Sequence, residues 1–156
     1  MENYYNQIKE QLLNKEAYDK VKDYSKNKNE LMTYYNVGKL IIEAQGGEER
    51  AKYGNKLIKE FSKKLTSELG KGYSEMNLKN MRKFYLFQKR QAVPVQLSWS
   101  HICELLPLKD SNEINYYIDI VCKQNIGYRK LKEKIKNKEY ERLPIETKNK
   151  LINNQE

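Results

Sequence analysis

The side chains here that could do covalent chemistry are few, and those that could hold a phosphate are many. His101 is the one histidine of the chain, and Glu104 follows it by three residues, within carboxylate reach of an imidazole on a helix. Cys103 stands close in sequence but points from a different face of that helix, so no thiol–imidazole pair is expected. The interval between Cys103 and Cys122 fits no zinc pattern, and both fall on apolar faces where a thiol acts as a small hydrophobe. A local, structural role is the expectation for all three. The phosphate-binding candidates cluster instead. Asn77, Lys79, Asn80, Arg82 and Lys83 recur opposite an inner face of Leu78, Met81, Phe84, Tyr85 and Gln88. Asparagine can bond an adenine edge bidentately, and arginine or lysine a guanine, in the major groove. Lys63, Lys64 and Lys71 suit backbone phosphates, which position without specifying. Tyr73 can reach a phosphate or pack beneath one, and Arg50, with Lys52 and Lys56, opens the preceding helix.

Two helices must carry these groups. Leu57, Ile58, Phe61, Leu65 and Leu69 give the first its apolar stripe, and Gly70 stops it by tolerating a left-handed backbone. Ser74 opens the second as N-cap. Two helices joined by a tight glycine-containing turn, the second with an Asn/Lys/Arg outer face, have the layout of a DNA-binding helix-turn-helix over about residues 51–90. The charge agrees with this. The net +9 is made of zero over residues 1–45, +7 over 46–90, −2 over 91–125 and +4 over 126–156. The excess gathers where phosphate contact would use it.

The rest of the chain reads as helix. Tyr4, Ile8, Leu12 and Leu13, then Tyr18, Val21 and Tyr24, line a first helix over 2–25. Leu31, Tyr34, Tyr35, Gly38, Ile41 and Ile42 line a second over 30–45, where Gly38 implies close approach of another helix, and Gly46-Gly47 ends it. Ser98 caps a short helix containing Trp99, Ile102, Leu105 and Leu106. Asp110 or Ser111 starts another that ends at Asn125 and Gly127. Tyr128, Leu131 and Ile135 mark a final basic helix, and Pro144 begins a frayed tail. The fold class expected is all-α: one compact multi-helix bundle over 1–143 with a tail over 144–156. No stretch approaches the roughly 20 apolar residues that span a bilayer, and the start MENYYNQIKEQLL has no secretory pattern, so a cytoplasmic protein without membrane contact is expected. Abundant Lys, Asn, Tyr and Ile suggest an AT-rich bacterial or phage genome.

Four runs in order carry a family likeness: GGEERAKYGNKLIKEFSKKL, GKGYSEMNLKNMRKFY, LSWSHICELLPLKD and YRKLKEKI. Over roughly residues 5–145 the chain resembles the N-terminal domain of YhcG-like proteins. The resemblance implies a helical domain followed, in that family, by a PD-(D/E)XK nuclease domain, with DNA binding the usual supposition for the helical part. The order of a helix-turn-helix, LSWSHICELL, an acid-capped helix and a basic helix is also similar, more faintly, to the central region of ParB-type DNA-binding proteins. A shared layout transfers no particular DNA site. The nuclease chemistry needs an aspartate, then a glutamate and a lysine on a strand, gathered around a divalent metal. The late Glu146-Thr147-Lys148 string stands in a polar segment without a strand. A non-enzymatic module without metal or cofactor is therefore expected, any cleavage coming from another chain or domain. Its expected partners are double-stranded DNA, a second copy of the chain, or a nuclease subunit. The alternative is a protein-interaction or oligomerisation domain that recruits such a subunit through its tyrosine-rich first helices.

Overall fold

A computed structural model describes residues 2–19, 26–51 and 55–154, with the side chains of 16–19, 50, 51 and 154 also outside the description. Every regular element among the described residues is helical, so the protein is all-α. The elements fall into two compact units, Met1–Ala92 and Val93–Glu156, where the sequence pattern suggests one domain and a tail.

The first unit holds α1 (Glu2–Asp19), α2 (Lys26–Ala44), α3 (Glu48–Ala51), α4 (Lys56–Leu69) and α5 (Glu75–Arg90). α2 packs on both α1 and α5, and α4 packs on α5. Ile8 and Leu12 of α1, Val37 and Ile41 of α2, Ile58 and Leu65 of α4, and Leu78, Met81 and Phe84 of α5 are all shut off from solvent. Gly38 explains how α2 and α5 come so close. A Cβ there would stand 2.1 Å from the carbonyl oxygen of Met81. Gly46 and Gly47 end α2 at positive φ, and Gly47 N–H bonds back to the Ile42 carbonyl at 2.9 Å.

Some boundaries differ from the sequence pattern. The helix expected from Arg50 onward is two segments: α3, and α4 starting after Asn55. Tyr18 has no described side chain, and Val21, Tyr24 and Lys52 lie outside the described residues. Leu13 is 44% exposed, one step around α1 from the buried stripe of Ile8 and Leu12.

The second unit holds α6 (Trp99–Leu105), α7 (Ser111–Gln124), α8 (Tyr128–Lys136) and α9 (Ile145–Asn154). Ser98 caps α6 and Asp110 caps α7, while Asn125, in the left-handed conformation, ends α7. Residues 145–154 are helical rather than frayed. Pro144 stands where a first turn leaves an N–H unpaired anyway, and its carbonyl accepts from Lys148 N at 3.0 Å. The core is Trp99, Ile102, Leu105, Tyr117, Val121, Ile126, Leu131 and Tyr140. Tyr116 and Tyr117 meet edge to face, and Tyr117 Oη accepts from Tyr140 N at 3.2 Å.

Candidate nucleic-acid interface

The turn between α4 and α5 is built by local bonds. Gly70 and Gly72 take positive φ, and Ser74 Oγ accepts from Asn77 N at 3.1 Å. Asn77 also donates from Nδ2 to the Gly72 carbonyl at 2.6 Å. Its amide, expected to face a base edge, is thus committed to holding the turn. Of the two roles expected for Tyr73, its burial fits packing beneath the turn. Its ring is buried at 8% exposure, and its carbonyl accepts from Ser62 Oγ at 2.7 Å, so it braces the turn from beneath.

α5 presents less surface than an amphipathic reading suggests, because neighbours cover it from two sides. Leu78, Met81, Phe84, Tyr85 and Phe87 are buried, while Gln88, expected inside, is exposed. Phe87 replaces Gln88 because contact with two neighbours widens the buried arc. Arg82 is half-buried and donates to Gln45 Oε1 at 3.2 Å, and burial lowers its pKa. Lys89 pairs with Glu48 at 2.6 Å and lies over the Tyr85 ring, and these contacts raise its pKa. Asn80 is half-buried at the edge.

What remains exposed on α5 is Met76, Lys83, Gln88, Lys89 and Arg90, while Lys79 is half-buried. Lys79 and Lys83 are one turn apart on one face. Lys63 and Lys71 are exposed on the neighbouring helix and turn. Lys64 is exposed but sits over the Tyr5 ring at 5.3 Å. Arg50 belongs to α3, with its side chain outside the described residues. An open groove of about 660 Å³ beside α4 is lined by Lys56, Lys59 and Lys63 and also by Glu60 and Glu75. The structure thus brings Lys63 together with Lys56 and Lys59, which were not singled out as contact residues, and removes Asn77, Arg82 and Tyr73 from the free surface.

His101 resolves as structural. Nδ1 accepts from Ser98 N at 3.0 Å, which leaves the proton on Nε2 to donate to the Ile126 carbonyl at 2.9 Å. Both ring nitrogens are used, and the ring is buried. Cys103 and Cys122 are half-buried thiols, and burial raises the pKa of the Cys122 thiol.

These features define a class: an all-α, cation-rich domain with no cluster of His, Cys, Asp or Glu able to hold a metal among the described residues. No helix among those residues is long and apolar enough to cross a membrane. The chain belongs to the DUF1016 N-terminal domain family, whose family model matches residues 7–142. Over 83 residues it is 45% identical to Putative nuclease YhcG of Escherichia coli (strain K12), a match covering 51% of this chain and 21% of that protein. The match thus spans about a fifth of that relative's length. No solved structure matches.

Proposed function

We propose that this chain is a non-enzymatic DNA-binding module of the YhcG N-terminal type, working beside a nuclease in bacterial or phage defence and resident in the cytoplasm. The observation that carries the reading is the exposed Lys83 of α5, one turn from the half-buried Lys79, in the same unit as the exposed Lys63 and Lys71. In this reading α4, its turn and α5 act as the helix-turn-helix, with Lys79 and Lys83 toward the groove and Lys63 and Lys71 on backbone phosphates. The name of the relative, Putative nuclease YhcG, supports it, the match covering 21% of that protein. The test is anisotropy on a short mixed-sequence duplex. Lys63→Glu, Lys79→Glu and Lys83→Glu together should weaken binding by about tenfold or more at low salt, with the melting curve unchanged. Unchanged affinity contradicts the reading.

A second reading rests on Met76, 66% exposed on the same helix, and on Met32 at 54%. Exposed methionines suit an adaptable protein contact, which favours a second copy of the chain or a nuclease subunit. Light scattering that gives a monomer at all concentrations counts against self-association.

A further inference from the structure

The unit that holds α8 carries its own helix, short turn and helix. α7 and α8 are joined by residues 125–127, with Asn125 left-handed and Gly127 as the N-cap of α8. We infer that α8 is a second nucleic-acid surface, in which Arg129, Lys132 and Lys136 form a ridge for the sugar–phosphate backbone of duplex DNA.

Charge and exposure carry this. Residues 128–138 hold six basic side chains and one acid, Glu133. Leu131 is the fully buried side chain of α8, and Arg129, Lys130, Lys132 and Lys136 are all exposed. Lys134 is paired with Glu139 at 3.1 Å, and Arg129 touches Tyr128, which carries no charge to cancel it. Among the described residues no carboxylate lies within ion-pair distance of Lys130, Lys132, Lys136 or Lys138. Positions 129, 132 and 136 fall on one stripe about 10 Å long, and duplex DNA offers several phosphates over that length.

The ridge is also rigid. His101 holds the Ile126 carbonyl just before α8, and Leu131 anchors the helix from below. Glu139, which binds Lys134, also accepts from Tyr116 Oη at 2.8 Å. A surface already ordered loses little freedom on binding. A protein partner is the poorer fit, because such interfaces centre on apolar or aromatic anchors. The exposed aromatic on this helix, Tyr128, is taken up by Arg129, whose Nε donates to its hydroxyl at 3.2 Å.

This surface lies on the other unit from Lys79 and Lys83, so the two assignments can fail separately. The experiment uses the full chain with Arg129→Gln, Lys132→Gln and Lys136→Gln, beside a Lys79→Gln/Lys83→Gln variant. Binding to a mixed-sequence duplex is followed by anisotropy across a salt series, with polyglutamate as the acidic-protein probe. The α8 variant should bind the duplex about tenfold more weakly, and its salt slope should shallow by roughly 2 to 3, as each lost phosphate contact releases fewer counterions. If the triple change lowers helicity, Lys132→Gln/Lys136→Gln gives the same readout at smaller size. Loss in the α8 variant alone supports this ridge and defeats the α5 assignment. Unchanged duplex affinity and slope in the α8 variant overturn the ridge, as does polyglutamate binding that is as tight as the duplex and equally lost.

Discussion

α5 and α8 both follow a short glycine-containing turn and both read as basic helices, yet the fold uses them differently. α5 is clamped: α2 crosses it at Gly38 with no room for a methyl group, and α4 packs on it as well. Its polar residues are tied to neighbours, with Asn77 on the turn carbonyl, the half-buried Arg82 on Gln45 and the exposed Lys89 on Glu48. α8 is held chiefly through Leu131, with Lys134 and Ile135 half-buried and its other side chains exposed. A helix that organises a core loses cations to that core. A helix at the margin keeps them for a ligand.

The largest effect expected is at the clamp. Gly38→Ala puts a Cβ against backbone of α5 and should destabilise the chain by about 3 kcal/mol in a urea melt. A melt like wild type would mean that α5 is not clamped there. Next is Leu131→Ala, which empties the buried seat of α8 and should cost about 2 to 4 kcal/mol. Hydrogen exchange should quicken in α8 while α5 is spared, and equal quickening in both would erase the contrast.

A smaller change is expected from His101→Ala, about 1 to 3 kcal/mol, because the Ser98 N–H and the Ile126 carbonyl lose their partner. Binding through α8 should weaken as its entry loop loosens, and Lys79 should be untouched. The smallest concerns pH. Burial, and then Glu141 and Asp110 nearby, push the Glu113 carboxyl from its ordinary 4.5 up to about 7, with Lys148 opposing. The folded chain then keeps a proton that the unfolded chain releases, so its contribution to stability is full below about 4.5 and fades as pH rises through 7. Glu113→Gln should therefore stabilise by about 1 kcal/mol at pH 8, after discounting for solvent screening, and by nearly nothing at pH 4. A gain that is equal at both pH values would remove Glu113 as the cause.

Much of this fold was legible in the sequence, and the reasons are local. Ser74, Ser98 and Asp110 were readable as caps because capping is a matter of one side chain and the next three residues. Gly38 was readable as a close approach because glycine in mid-helix needs a reason. The outer face of α5 was legible only in part. Lys83 is exposed as its spacing says and Lys79 is half-buried, and periodicity cannot tell that two helices cover α5, so Gln88 and Phe87 exchange places. The spacing does not show that Asn77 holds the turn, because a turn's own unpaired backbone groups compete with any ligand for nearby polar side chains. The cations of α8 were visible as a basic helix, but its openness depends on tertiary packing that no spacing encodes.

The most direct measurement is lysine labelling read by mass spectrometry, on the full chain with and without saturating duplex DNA at low salt. The account predicts protection of Lys63, Lys71, Lys79 and Lys83 in one unit and of Lys132 and Lys136 in the other, with Lys9 and Lys15 labelled as before. Equal labelling of all these lysines with and without DNA would contradict it.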